Sequence, residues 1–253
     1  MTADEYVAQI LNKYAVTTGS NSPTERNANA ISPSISQWAG IWLSDLIFSG
    51  SYAKGTGVLG TTDIDMFISL KSDTPDNLRD IYEGLYKLAE SQYWSPRHQN
   101  VSIGITYNGT KIDLAPGRIQ PGYQNYHSLY VRKTDSWTKT NVSLQIDKVR
   151  NSGRVNEIRA VKIWRNLHTL DFPSFYLELM VIDSLYQRPT NNLSENVLTA
   201  LRYISNSILS VRVLDPSNTG NVISDDLSKA DKTLIASQAN SSLQEQYWEK
   251  IIW

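Results

Sequence analysis

The chain has 253 residues, of which 40% are hydrophobic and 19% charged, and its formal net charge at pH 7 is -1. This composition is typical of a globular protein with a sizeable core, built as one large domain or as two small domains packed closely. The near-neutral charge argues against binding of an extended nucleic acid, which needs a basic surface. Cysteine is absent, which excludes disulfides, thiolate catalysis and cysteine-rich zinc sites.

The spacing of apolar residues predicts the elements of the first half in chain order. A short helix over 4–14 precedes a second helix that runs from about residue 22 towards 42, and Pro33 predicts a break or a second start within it. The elements that follow are a strand over 45–51, a strand over 63–70, a helix over 75–92, and a hairpin over 101–117 that turns at Asn108-Gly109.

The second half is predicted to be mainly helical, with apolar residues at intervals of three and four. Helices are predicted over 154–168, 174–186 and 195–209, and from about 225 to the end. We therefore predict two parts, residues 1–145 with the sheet and the amino-terminal helices, and residues 146–253 with the remaining helices.

Targeting signals are not evident in the sequence. The amino-terminal segment lacks the basic start and the apolar run of a signal peptide. No stretch approaches the roughly 18 apolar residues that a membrane span needs. We therefore expect a cytoplasmic protein with no membrane partner.

Two aspartates lie inside the second predicted strand, in the sequence Asp63-Ile64-Asp65. Residues two apart in a strand point to the same face, so their carboxylates lie side by side and repel each other. A third aspartate, Asp113, lies in the second strand of the hairpin and can come alongside from there. Three carboxylates on one patch suit Mg²⁺, which commonly bridges protein carboxylates to substrate phosphates. Two such ions can activate an attacking hydroxyl and stabilise leaving pyrophosphate.

Gly50-Ser51 ends the strand that precedes these aspartates. Glycine allows a sharp turn and a close approach of the backbone to a ligand. Backbone N–H groups and the Ser51 hydroxyl can then hold phosphate oxygens. The pair is therefore predicted to bind phosphate.

The pattern resembles the nucleotidyltransferase superfamily related to DNA polymerase β. Its signature is Gly-Ser at a strand end, then Asp-x-Asp, then an acidic residue on a later strand. In this sequence these are Gly50-Ser51, Asp63-Ile64-Asp65 after eleven intervening residues, and Asp113. The resemblance implies an α+β fold with a small mixed-sheet lobe, a helical lobe and a cleft between them. It also implies that all three aspartates ligate metal and that Asp113 helps to activate the acceptor hydroxyl.

The second half resembles one branch of that superfamily, which holds the oligoadenylate synthases, cyclic-GMP-AMP synthase and the bacterial CD-NTases. The segment that carries the resemblance is EIRAVKIWRNLHTLDFPSFYLELMV, residues 157–181. In this branch a lysine in K-x-W and a serine in S-[FY]-x-L-E grip the triphosphate, and these positions are Lys162 and Ser174 here. The segment SWTKTN over 136–141 also resembles the CD-NTases, although Val142 stands where a proline is expected.

The branch implies an enzyme that joins ribonucleoside triphosphates into a cyclic or short linear oligonucleotide second messenger for anti-phage signalling. ATP is the expected substrate, two Mg²⁺ or Mn²⁺ ions are the expected cofactors, and a downstream effector would bind the product. Two alternatives stay open. One is a template-independent RNA nucleotidyltransferase, such as a CCA-adding enzyme or a poly(A) polymerase. The other is a regulatory or protein-modifying module with a nucleotidyltransferase fold.

The three histidines, His98, His127 and His168, show no metal-ligand spacing. We interpret each of them as a packing or surface residue.

Overall fold

The computed structural model describes residues 1–19, 22–60 and 63–253. The helices among them are α1 (Ala3–Lys13), α2 (Pro23–Ala39), α3 (Gly50–Lys54), α4 (Leu78–Ser91), α5 (Val142–Arg150), α6 (Val155–Leu167), α7 (Ser174–Ser184), α8 (Leu193–Ser207) and α9 (Lys229–Leu243). The strands are β1 (Leu43–Ser49), β2 (Ile64–Leu70), β3 (Arg97–His98), β4 (Ile103–Tyr107), β5 (Thr110–Gln120), β6 (Tyr123–Val131), β7 (Ser136–Thr140), β8 (Leu214–Asp215) and β9 (Asn218–Val222). None of these helices combines the length and the apolar character that a bilayer crossing requires.

Contacts divide the chain into two compact units. The sheet unit comprises the described residues of Thr17–Lys54 and Asp63–Ile146, and the helical unit comprises those of Met1–Val16, Gly55–Thr62 and Asp147–Trp253. The α+β class predicted from the sequence is confirmed. The amino-terminal helix differs from the predicted partition, because α1 packs against α6 and α8 of the helical unit and not with the sheet.

The sheet unit contains one mixed sheet of seven described strands. Its main path runs β1-β2-β5-β4-β3, and β6 pairs with both β5 and β7. Only the pairing of β2 with β5 is parallel among these strands. The long strand β5 is therefore central, since it contacts β2, β4 and β6.

One face of this sheet carries the apolar core of the unit. Strand residues such as Ile64, Ile68 and Ile112 are fully buried there, and they pack against α2 and α4. Residues of the opposite parity in β2 and β5 point to the other face, which bears Asp65 and Asp113 and is named the aspartate face below.

The hairpin of β4 and β5 is confirmed. Tyr107 pairs with Thr110 across the turn, and Asn108 and Gly109 both have positive φ, 46° and 75°. Two consecutive residues with positive φ define the turn that Asn-Gly favours, whose twist matches that of the flanking strands.

The break predicted at Pro33 is wrong, since α2 continues from Pro23 to Ala39. Proline removes one helical hydrogen bond and crowds the preceding turn. Ile31 and Ile35, on either side of Pro33, are both buried in the core of the sheet unit. Burial of that apolar stripe compensates for the lost hydrogen bond, so tertiary packing overrides the local preference.

The helical unit has its own apolar core. Trp164, Phe172 and Tyr176 are among its largest buried side chains, and the Phe172 and Tyr176 rings meet edge to face at 5.2 Å. The indole N–H of Trp164 donates to Ser242 Oγ of α9 at 2.9 Å. This contact satisfies the one polar atom of a fully buried tryptophan, as buried indoles require.

Candidate active site

Asp65 and Asp113 lie side by side in the sheet unit. They are register partners in the parallel pair of β2 and β5, so both point to the aspartate face. Neighbouring strands are about 4.8 Å apart, which brings the two carboxylates within direct electrostatic reach. Asp63 comes directly before β2 and two residues before Asp65, and all three side chains are half-buried.

The electrostatics of Asp113 show that the carboxylates act on one another. Burial raises the pKa of Asp113, and a hydrogen bond from Gln99 opposes that rise. The negative charge of Asp63 raises the pKa of Asp113 further, while Arg97 and Lys111 lower it. Asp63 and Asp113 are therefore close enough to repel, and a bound cation would relieve that repulsion.

Gln99 orients the Asp113 carboxylate through a defined set of hydrogen bonds. Its Nε2 donates to Asp113 Oδ1 at 2.9 Å, and its Oε1 accepts from the Ser102 hydroxyl. Its backbone N–H donates to the Ser102 carbonyl at 3.0 Å, and its carbonyl accepts from Tyr82 at 2.8 Å. Because Oε1 is engaged, the amide can only present its N–H groups to Asp113.

Gly104 makes room for these side chains. It pairs with Asp113 across β4 and β5. A Cβ there would lie 2.8 Å from Arg97 Nη2, 2.8 Å from Gln99 Nε2 and 3.1 Å from Asp113 Oδ1. Sequence reasoning missed Arg97, Gln99 and Gly104, because no local pattern shows that they lie beside Asp113.

Gly50 lies directly against Asp65. Its φ is +57°, and a Cβ on it would lie 1.7 Å from Asp65 Oδ2 and 2.9 Å from Asp65 Cβ. A change of the Asp65 rotamer would not make room for that atom, because the Asp65 Cβ is fixed by the strand. Ser51 follows in α3 and is half-buried. The predicted phosphate-binding pair thus adjoins the predicted metal ligands. Two residues of the connecting loop, Thr61 and Thr62, lie outside the described residues.

We predict that Gly50→Ala costs more than about 2 kcal/mol of folding free energy and lowers product formation at least about 100-fold. A left-handed backbone alone costs an L-residue roughly 1–2 kcal/mol, and the clash with Asp65 adds to it. Asp65 is a predicted metal ligand, and a misplacement of about 1 Å in an active site can lower the rate about 100-fold. Urea unfolding measures the loss of folding free energy, and an assay of product formation measures the loss of activity.

Gly40→Ala is the matched control for this variant. Gly40 also has a positive φ, +53°, but a Cβ on it would meet nothing within 4 Å. It should therefore show the backbone cost and keep its activity. Equal losses of stability and activity in the two variants would contradict the assignment of Gly50 to the site.

The three aspartates fit a hard divalent cation by their chemistry. Among residues 1–19, 22–60 and 63–253, no three histidine, cysteine, aspartate or glutamate side chains are grouped closely enough to hold a metal ion by themselves. Mg²⁺ usually takes one or two protein carboxylates and completes its shell with water and substrate phosphates, and Mn²⁺ also prefers oxygen ligands. The arrangement suits an ion held jointly with a triphosphate, and the ligand set of Asp63, Asp65 and Asp113 stays a prediction.

Lys162 of the helical unit is buried in an ion pair. Only 2% of it is exposed, and Glu178 is fully buried. The Lys162 ammonium donates to Glu178 Oε1 at 2.7 Å and to Thr56 Oγ1 at 2.9 Å, and the Thr56 hydroxyl also donates to Glu178 Oε1. To hold a triphosphate, the ammonium would have to exchange part of this set for phosphate oxygens.

Ser174 is the first residue of α7, and its hydroxyl accepts from Arg165 Nη1 at 3.0 Å. The same nitrogen donates to the Phe172 carbonyl at 2.7 Å. Burial lowers the pKa of Arg165, and the charges of Glu178 and Asp171 raise it. The structure thus places Arg165 beside the predicted triphosphate-binding serine, and sequence reasoning did not assign this arginine to the site.

The predicted residues fall into two sets. Gly50, Ser51 and the three aspartates belong to the sheet unit, while Lys162 and Ser174 belong to the helical unit. Within the sheet unit the register of β2 and β5 brings Asp65 and Asp113 together. Within the helical unit Glu178 links Lys162 to the surroundings of Ser174. It forms an ion pair with Lys162, and its charge acts on Arg165, which contacts Ser174.

Comparison with solved structures identifies the architecture as a nucleotidyltransferase fold. CdnC of Escherichia coli MS115-1, solved with ATP, has a TM-score of 0.78 at 18% identity, and the match covers 98% of this chain and 96% of CdnC. CdnG of Bradyrhizobium diazoefficiens, solved in complex with GTP, has a TM-score of 0.80 at 14% identity, with 96% of this chain and 91% of CdnG covered.

The particular form of that fold is the one found in the CD-NTases, as the sequence motifs predicted. CdnG is described as a CD-NTase. A curated relative, the cyclic AMP-AMP-AMP synthase of Escherichia coli (strain MS 115-1), is 24% identical over 165 residues. The match covers 59% of this chain and 51% of the relative, so it spans about half the relative's length. No family model matches the chain.

Proposed function

We propose that this protein is a metal-dependent nucleotidyltransferase that joins ribonucleoside triphosphates into a cyclic or short linear oligonucleotide. The observation that carries the proposal is the in-register pair of Asp65 and Asp113, with Asp63 close by and Gly50 packed against Asp65. Likeness to structures solved with ATP and GTP, and to a cyclic AMP-AMP-AMP synthase, supports nucleoside triphosphates as substrates.

In the proposed reaction a ribose hydroxyl of one nucleotide attacks the α-phosphorus of another. A new oxygen–phosphorus bond forms, the bond from the α-phosphorus to the bridging oxygen breaks, and pyrophosphate leaves. Two Mg²⁺ or Mn²⁺ ions, when bound, would lower the pKa of the hydroxyl and neutralise the charge on the leaving group. Asp63, Asp65 and Asp113 would hold them.

The side chains of the site have different roles in this reaction. Asp113 helps to activate the acceptor hydroxyl by holding the metal ion that this hydroxyl would bind. The backbone N–H groups at Gly50-Ser51 and the Ser51 hydroxyl hold phosphate oxygens. Lys162 and Ser174 bind the donor triphosphate, with Lys162 leaving part of its contact with Glu178 to do so.

We propose that the product is a second messenger in anti-phage signalling and that a downstream effector binds it. One similar structure is a complex of CdnC with a HORMA protein, with a TM-score of 0.75 to this chain at 19% identity. We therefore propose a HORMA protein as a partner of this chain.

The test is an incubation of the pure protein with all four ribonucleoside triphosphates, each labelled in turn at the α-phosphate, with Mg²⁺ or Mn²⁺. We expect labelled products that resist phosphatase, because a cyclic or internal phosphodiester has no terminal phosphate to remove. A matched reaction contains the metal, added RNA and the same triphosphates.

Transfer of label only to the added RNA would favour a template-independent RNA nucleotidyltransferase. Transfer only to a protein would favour a protein-modifying module. Either outcome would contradict the proposed function. Absence of any transfer, even when a co-purifying partner is added to activate the enzyme, would contradict it as well.

A further inference from the structure

A cavity of about 370 Å³ opens within the sheet unit on the aspartate face. Its walls include Phe67 and Ser69 of β2, Ile119 of β5, and Asn125 and His127 of β6. All of these residues are described parts of one unit, so the cavity exists independently of the helical unit.

The cavity continues the row of side chains that begins with the catalytic carboxylates. Phe67 and Ser69 follow Asp65 at intervals of two residues, and Ile119 follows Asp113 at an even interval. A strand rises about 3.3 Å per residue, so Phe67 lies about 7 Å and Ser69 about 13 Å along the strand from Asp65. The sugar and base of one nucleotide can bridge that interval.

A buried polar pair forms one wall. Ser69 Oγ lies 2.7 Å from His127 Nε2, and only 6% of Ser69 and 7% of His127 are exposed. His127 Nδ1 is buried and makes no hydrogen bond of good geometry with the described residues, although the backbone of Asn125 lies close to the ring. Buried polar atoms without partners are rare in native proteins and require an explanation. Burial lowers the pKa of His127, with a smaller opposing effect from the backbone of Asn125, so the ring is neutral at pH 7.

The pair is held rigidly in place. The His127 ring meets Phe67 edge to face, with centroids 4.8 Å apart and an interplanar angle of 84°. Gly117 lies below them, and a Cβ there would approach Phe67 Cζ to 2.6 Å and His127 Cβ to 3.1 Å. A neutral imidazole offers one donor and one acceptor, and a serine hydroxyl offers both. Such groups match the polar edge of a nucleobase.

We propose that this cavity binds the base of a substrate nucleotide and that Ser69 and His127 determine which base is accepted. The inference rests on the proposed function, since it assigns the base subsite of the same reaction. Sequence reasoning interpreted His127 as a packing or surface residue because the histidines show no ligand spacing, and its partner Ser69 is 58 residues away in the chain.

The test compares base preference in Ser69→Ala and His127→Phe with that of the wild type. Ser69→Ala removes one hydroxyl and leaves the packing intact, and His127→Phe keeps an aromatic ring without polar atoms. The matched control is Ser128→Ala, which is adjacent to His127 on β6, faces the other side of the sheet and accepts from Gln120 Nε2 at 3.0 Å. Circular dichroism and the melting temperature verify that each variant is folded.

Two readouts are taken with each ribonucleotide in turn, namely incorporation from an equimolar mixture and the rise in melting temperature with Mn²⁺. We expect the ratio between the preferred base and the next one to change about tenfold in both variants, the factor for one lost buried hydrogen bond. The control should keep the wild-type ratio.

Unchanged ratios in both variants, or an equal loss for all four nucleotides with the control intact, would overturn the inference. Failure of the proposed function looks different. The wild type would then form no product, but a base-dependent rise in melting temperature that Ser69→Ala abolishes would still support the cavity as a base site. A wild-type protein that shows no base preference in either readout would also overturn the inference.

Discussion

Replacing Asp63 and Asp65 together with asparagine is expected to abolish product formation, with a loss of at least about 10³-fold. Removal of a single charge-stabilising group from an active site already costs 10²–10³-fold, and this double variant removes two predicted ligands. Asparagine keeps the size of the side chain, so the pairing of Ser49 with Asp65 and of Asp65 with Asp113 can persist. Product formation from labelled triphosphates is the measurement.

The same variant should be at least as stable as the wild type without metal. The pKa of Asp113 is raised by burial and by the charge of Asp63. A carboxyl whose pKa is raised on folding adds stability below its ordinary pKa, and this is lost as the pH rises through the raised value. At pH 7 the ionised Asp113 therefore opposes folding, and removing the charge of Asp63 reduces that opposition.

Melting curves separate the two consequences. With Mg²⁺ or Mn²⁺ and a triphosphate, the wild type should melt higher, because a ligand that binds only the native state adds stability. The double variant should lack that rise. Retained product formation in a well-folded double variant would rule out the metal-dependent mechanism.

Replacing Lys162 with alanine is expected to lower the free energy of unfolding by about 3–5 kcal/mol. Glu178 is fully buried, and loss of the ammonium would leave its charge without a cation in the interior. In a chain of this size roughly 1 kcal/mol shifts the melting temperature by 2–4 °C, so a fall of about 10 °C is expected. Urea unfolding gives the free energy directly.

The single variant cannot separate triphosphate binding from folding, but a double variant can. Lys162→Met with Glu178→Leu removes both charges, and such apolar replacements of a buried pair often keep or raise stability. If Lys162 grips the triphosphate, the double variant should fold and yet lose most of the nucleotide-dependent rise in melting temperature.

Arg154→Ala is the matched control within the helical unit. Arg154 forms a buried ion pair with Glu157 at 3.1 Å and also donates to the Leu185 carbonyl at 2.9 Å. It should lose stability in the same way but keep the nucleotide-dependent rise. A full rise in the Lys162→Met/Glu178→Leu protein would show that the lysine serves folding alone.

Local periodicity predicted much of the fold, because helices and strands differ in the interval at which apolar residues recur. The helix over 75–92 is α4 (Leu78–Ser91), and the hairpin turns at Asn108-Gly109 as predicted. The same reasoning failed at Pro33, where burial of Ile31 and Ile35 outweighs a local helix-breaking preference.

The candidate chemistry was visible in the sequence as residue types and spacings. Gly50-Ser51 and Asp63-Ile64-Asp65 are short motifs, and alternation along a strand predicted both aspartates on one face, although β2 begins at Ile64 and Asp63 lies just before it. The sequence by itself therefore determined the fold class, the acidic motif and the expected class of substrate.

Only the tertiary structure decided which distant residues meet. Asp65 faces Asp113 because β2 and β5 pair in parallel register. Lys162 can be buried because its ammonium donates hydrogen bonds to Thr56 and Glu178, which are 106 and 16 residues away in the chain. In the same way Gln99 contacts Asp113 and His127 contacts Ser69, although each pair is distant in sequence. Such pairings depend on strand register and helix packing, which sum many weak contacts between distant segments, and local sequence patterns do not encode them.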